Sequence, residues 1–267
     1  MKCINKILLI PVFVWLAIGM VACDPAGSPG IEEPDLYSVG ELREQGVTVQ
    51  IWSEVPFEVG YNRFYLEVHR AGEPLEDLEI VVVPMMQMEA HAHSAPVENP
   101  GPHRTSEESL YQGALIFTMP TMETGSWSLQ ISVTGPDELN LTGEVSVNVD
   151  PSARVRSFES EGGQHFFLTL VEPVEPEVGS NTLLVTLHRQ ESMMSFPPVT
   201  DAEFGFEPWM TAPSMDHGSP NNEPPVHQSA GNYRGIVNFT MTGDWELRFD
   251  PVVGGEESPR QLFELTL

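Results

Sequence analysis

Phe64, Leu66 and Val68 alternate with Tyr65, Glu67 and His69. This period-two pattern marks a strand with one buried face. Similar short runs predict strands near residues 47–52, 63–70, 78–84, 112–119, 126–133 and 144–149. A second set is predicted near 165–171, 182–189, 202–208, 233–240, 245–249 and 262–267. No stretch sustains a helical period, and 22 glycines and 24 prolines break the chain into short pieces. The expectation is an all-β chain of immunoglobulin-like antiparallel β-sandwiches.

The two sets of strands belong to one repeated pattern. Val59-Gly60 before a strand ending His69-Arg70 matches Val178-Gly179 before one ending His188-Arg189. Tyr111-Gln-Gly113 with Phe117-Thr-Met119 matches Tyr233-Arg-Gly235 with Phe239-Thr-Met241. Gly125-Ser-Trp127-Ser-Leu129 matches Gly243-Asp-Trp245-Glu-Leu247. A unit this long is expected to carry its own core, so two tandem sandwiches are predicted, at residues 47–151 and 152–267. Trp127 and Trp245 read as core residues.

The chain start has a different pattern. Lys2 and Lys6 precede an apolar run from Ile7 to Ile18, too short to span a bilayer comfortably. Met20-Val21-Ala22-Cys23 resembles the lipobox of bacterial lipoproteins, which implies a signal peptide at 1–22 and an acylated Cys23. Cys3 and Cys23 are the two cysteines, so this reading leaves no disulfide in the mature chain. Residues 23–46, with Pro25, Gly27, Pro29, Glu32 and Glu33, read as a flexible acidic linker. Attachment would then run through lipid, outside the cytoplasm, on the periplasmic side or the cell surface.

Charge narrows the partners. Twelve Lys and Arg against 39 Asp and Glu give a net charge of -27, which argues against nucleic acid. At 40% hydrophobic residues the chain has enough apolar content for a core. No hydrolase, dinucleotide or P-loop motif occurs, so no enzyme is expected.

Candidate chemistry lies between the third and fourth strand of each copy. Pro84, Met86, His93, Pro96, Pro100 and His103 stand at one constant spacing from Pro208, Met210, His217, Pro220, Pro224 and His227. His91 meets Met215 in the same alignment. Thioether with imidazole suits copper, and thioether favours Cu(I). Zinc prefers Cys, His and carboxylate. The candidate metal ligands are Met86, His91, His93 and Met119, then Met210, Met215, His217 and Met241. His103 and His227 are possible additions. Methionine also fills core gaps, so Met85 to Met88, Met119 and Met241 read equally as buried residues. His103 and His227 read equally as solvated; His69 and His188, within strands, read as structural.

On these residues the chain resembles the YtkA-like family and the related FixH-like group. The carriers are Pro208-Trp209-Met210, Met215-Asp-His217-Gly-Ser, Gly231-Asn-Tyr233 and Phe239-Thr-Met241-Thr-Gly243-Asp-Trp245-Glu-Leu247. Copy one is similar to a diverged member through Pro84-Met85-Met86, His91-Ala-His93-Ser, Tyr111-Gln-Gly113 and Phe117 through Trp127. It departs in the extra residues around Thr121-Met122-Glu123. The resemblance implies an extracytoplasmic immunoglobulin-like sandwich in a copper-handling context. The expected function is copper acquisition, buffering or transfer, with a copper-donor or copper-acceptor protein as partner. The alternative is a non-metal envelope scaffold whose Met-rich loops form an adaptable contact surface.

Overall fold

The computed structural model describes residues 36–101, 110–211 and 217–267, all within one compact unit. The signal segment, Cys23, His103 and Met215 lie outside the described residues. Among the described residues every regular element is a strand. The first ten are β1 (Tyr37–Glu44), β2 (Val47–Ser53), β3 (Gly60–Arg70), β4 (Glu73–Pro74), β5 (Glu79–Met88), β6 (Ala92–Ser94), β7 (Val97–Glu98), β8 (Tyr111–Phe117), β9 (Gly125–Gly135) and β10 (Leu139–Val147). The others are β11 (Val155–Glu159), β12 (His165–Glu172), β13 (Gly179–Gln190), β14 (Ala202–Met210), β15 (His217–Gly218), β16 (Glu223–Ser229), β17 (Asn232–Phe239), β18 (Asp244–Val253), β19 (Glu256–Glu257) and β20 (Gln261–Thr266).

They form four antiparallel sheets. Sheet I has the order β1-β2-β3-β8-β7, with β4 also on β3, and sheet II has β10-β9-β5-β6. Sheet III has β11-β12-β13-β17-β16, and in sheet IV β15-β14-β18 is extended by β19 and β20, both on β18. Sheets III and IV thus repeat the strand order of sheets I and II. Sheets I and II enclose one apolar core, which includes Phe64, Leu66, Tyr111, Phe117, Trp127 and Ile131. Sheets III and IV enclose another, which includes Leu168, Leu187, Tyr233, Phe239, Trp245 and Phe249. Strand burial alternates as the pattern predicts: β2 and most of β3 place every second residue in the core.

The repeated motifs make repeated bonds. The Tyr111 hydroxyl accepts from Leu78 N–H at 3.2 Å and donates to the Leu75 carbonyl at 3.2 Å. The Tyr233 hydroxyl does the same with Ala202 N–H and the Val199 carbonyl, both at 3.0 Å. Each buried phenol therefore satisfies its polar atom while holding the lead-in to the third strand of its copy. A Cβ on Gly113 or Gly235 would strike the carbonyl oxygen of Glu98 or Glu223, so the neighbouring strand can approach only a glycine there.

The segment expected as linker to residue 46 is corrected. Tyr37–Glu44 forms β1, paired along β2. Val39 and Leu42 pack on the first core, but most other β1 residues face solvent. An exposed edge strand carries little alternation, which hid it in the sequence. The predicted Met/His loops also contain strands. The chain turns back along sheet II as β6, then crosses to sheet I as β7.

The segment joining the sandwiches is pinned to each at its own end, and Glu98 bonds across them. Asp150 N–H donates to Phe57 O at 2.8 Å, and Val59 N–H donates to Asp150 O at 2.9 Å. Leu170 N–H of the second sandwich donates to Arg154 O at 2.9 Å. Glu98 accepts from the Tyr61 hydroxyl at 3.2 Å and from Asn232 Nδ2 of the second sandwich at 3.2 Å. Burial, and then the Glu98 carboxylate, push the Tyr61 phenol up from its ordinary value. β3 also contacts β12.

The outward face of sheet III is therefore not open. Its core-facing residues are Leu168 and Leu187, yet the alternate positions Thr169, Thr186 and His188 are at most 2% exposed. Phe196 packs on Phe167 on this face, ring centroids 5.9 Å apart. Burial pushes the His188 imidazole down from 6.5 to about 4. The neutral ring is the folded form, so His188 contributes fully above about pH 6.5. Below that the unfolded chain takes a proton that the folded chain refuses, and the contribution fades toward pH 4. The loss is on the order of 3 kcal/mol. Urea melts at pH 7 and pH 4.5 should show wild type losing clearly more stability on acidification than His188→Gln. Equal losses would remove this account.

Candidate metal centre

Met86 on β5 has two register partners, His93 on β6 and Trp127 on β9. Antiparallel partners share a face, so His93, Met86 and Trp127 form one row across sheet II. In sheet IV, Met210 pairs with His217 and with Trp245, which makes the same row. Met86 and Met210 are buried in the two cores, at 0% and 1% exposure, and His93 and His217 are half-buried at the strand edge. The His93 ring stands edge-on to Trp127 at 5.6 Å and 90°. His217 stands to Trp245 at 6.2 Å and 83°.

The imidazoles are oriented identically. His93 Nδ1 lies 2.8 Å from Ser94 O, and His217 Nδ1 lies 2.8 Å from Gly218 O. A carbonyl only accepts, so Nδ1 carries the hydrogen and the neutral ring keeps its lone pair on Nε2. Fixing one ring nitrogen to a carbonyl in this way is how proteins orient a histidine ligand for metal.

The tryptophans set the adjacent turns. Trp127 Nε1 donates to Met119 O at 2.9 Å, and Trp245 Nε1 donates to Met241 O at 3.2 Å. Met119 and Met241 are half-buried, with their side chains packed on the cores. In each copy the glycine two residues before the tryptophan sits over the buried methionine. A Cβ there would lie 2.9 Å from Met86 Cε at Gly125, and 3.3 Å from Met210 Sδ and Cε at Gly243.

Other predicted residues are placed differently. His91 is exposed at the tip of the β5–β6 hairpin, where its carbonyl accepts from Met88 N–H at 3.0 Å. Met88 and His91 lie two residues beyond Met86 and His93, hence on the same hairpin face. Met88 is half-buried opposite Gly125, so it stands nearer this end than the sequence reading credited. Its spacing from Met86 was the available signal. His227 lies on β16 of sheet III, not sheet IV, exposed and 5.3 Å from the Tyr233 ring. The register thus pairs Met86 with His93 in the first copy and Met210 with His217 in the second, with Met88 and His91 further along the first hairpin. Met119 and Met241 adjoin these rows through their backbone. Among the described residues, no three His, Cys, Asp or Glu side chains cluster.

Residues 162–250 match the YtkA-like family. This stretch carries Met210, His217, Met241 and Trp245. No curated protein matches the chain in sequence. Among solved structures, a conserved domain protein from Bacillus anthracis is similar at 11% identity and TM-score 0.32, covering 87% of this chain and 91% of that one. Invasin, a bacterial integrin-binding protein, is similar at 12% identity and TM-score 0.26, over 83% of this chain and 39% of its own. The Yersinia pseudotuberculosis adhesin InvE is similar at 12% and 0.26, over 85% and 61%. The chain therefore spans well under two thirds of invasin.

The two rows make distinct demands on packing and on ligation. Leucine conserves volume in the core, so Met210→Leu should change stability by less than about 1.5 kcal/mol. Gly243 has φ +138 and a tight Cβ position, so Gly243→Ala should cost about 1–3 kcal/mol. Urea melts of the two variants test the ranking. If Met210→Leu proved the more damaging, the methionine would have a packing role that leucine cannot fill.

Proposed function

We propose that this protein is a membrane-anchored, extracytoplasmic binder of soft metal, which accepts, buffers or passes on copper, with Cu(I) preferred. The supporting observation is the duplicated row in which an imidazole, its Nδ1 held by a backbone carbonyl, stands beside a methionine. His93 and Met86, joined by His91 and Met88, would hold the ion in the first copy. His217 and Met210, with Met215, would do so in the second. Met119, Met241, His103 and His227 complete the candidate set. Thioether and imidazole suit Cu(I) and release it readily to competing ligands. A partner's donors enter at the exposed hairpin end before the old ones leave. The surplus of carboxylates draws cations and a basic face of a copper-donor or copper-acceptor protein. Acylation at Cys23 would keep the exchange near the membrane.

One observation favours a second reading. Met86 and Met210 are wholly buried, as core gap-fillers are, and a sandwich scaffold for protein contacts needs no more of them. Anaerobic Cu(I) titration of the full-length protein in detergent, against a competing chelator, separates the two. Two equivalents bound by wild type and lost in His93→Ala/His217→Ala are expected. No competition, or unchanged binding in the double variant, would leave the scaffold.

A further inference from the structure

The hairpin end of the first sandwich bonds the backbone of Met193, one of a methionine pair in the second. β6 is the edge strand of sheet II, and the Ser94 N–H on its free side donates to Met193 O at 2.8 Å. Ser94 follows His93 directly. Met193 and Met194 are 43% and 53% exposed, although nothing in packing requires two thioethers in solvent.

The segment that presents them is held in one shape. Ser192 and Ser195 bond each other's backbone in both directions at 3.4 Å, and Glu191 N–H donates to Ser195 O at 3.0 Å. Met194 N–H donates to Ser192 Oγ at 3.2 Å, and Gln190 Nε2 lies 3.8 Å from Met193 Sδ. The Asn232–Glu98 bond is a second tie across the same junction. The pair is also absent from the other copy. After His69-Arg70 the first copy turns through Ala71-Gly72-Glu73, whereas after His188-Arg189 the second runs Gln190-Glu191-Ser192-Met193-Met194-Ser195. Descent from one ancestral unit therefore does not account for it.

We infer that the first site is composite: His93 of one sandwich and the Met193-Met194 turn of the other hold one soft monovalent cation, Cu(I) or Ag(I), at their junction. This rests on the soft-metal reading above and extends it. The site needs both sandwiches docked, so ion binding stiffens the junction and separation of the sandwiches releases the ion. The two copies are then unequal, with the first site drawing an additional thioether from its neighbour.

The test is Cu(I) titration of the full-length protein in detergent with Met193→Leu/Met194→Leu, beside wild type and His93→Ala. Leucine on an exposed turn leaves the cores intact, which a urea melt of each protein verifies. The double methionine variant should weaken one of two sites at least tenfold, the same site that His93→Ala removes. The other should stay unchanged. Wild-type binding that the methionine variant leaves untouched overturns the composite site while the soft-metal reading stands. Wild type that binds no Cu(I) overturns both.

Discussion

A buried indole has to fill a large volume and satisfy one N–H donor at the same time. In this protein that requirement organises the end of each sandwich. Trp127 and Trp245 meet it by donating to the carbonyls of Met119 and Met241, which fixes the turn that leads into the tryptophan strand. The strand then places Met86 or Met210 directly beside the indole, and the returning edge strand places His93 or His217 beyond it. The glycine before each tryptophan is the space that the methionine occupies. Removing the indole would unseat the whole row, since truncating a buried tryptophan costs about 3–5 kcal/mol.

The same row carries both stability and the proposed chemistry, and these pull in different directions. A thioether deep in a core contributes packing whatever else it does, and leucine would supply most of that. An imidazole at the strand edge, with one nitrogen tied to a carbonyl, supplies an oriented lone pair that packing does not need. The histidine therefore distinguishes a metal site from a core more sharply than the methionine does. The exposed Met193-Met194 turn belongs on the same side of that distinction, because it contributes nothing to either core.

Much of the arrangement was legible in the sequence. Alternation located the inner strands, and the matched motifs announced two copies, because period two and a buried Tyr or Trp are local signals. The pairing of Met86 with His93 and of Met210 with His217 was foreshadowed by their constant spacing. The edge strands β1, β6 and β7 were not foreseen. Strands of two or three residues, or with both faces largely wet, leave no period to read.

His69 and His188 show where sequence stops. They occupy equivalent places in the two copies, each followed by arginine. His69 is half-exposed and lies 3.4 Å from the Glu67 carboxylate, whereas His188 is 2% exposed with its proton affinity driven down by burial. The amino-acid sequence by itself determined the strands, the duplication and the residue types at each hairpin end, since all follow from side-chain periodicity and local bonds. Only the tertiary structure decided which outer sheet face is covered, which histidine is dry, and that Met193 reaches β6. Those depend on contacts that local pattern does not announce: the 196–199 segment laid along β13, and the bond from Ser94 to Met193 between the sandwiches.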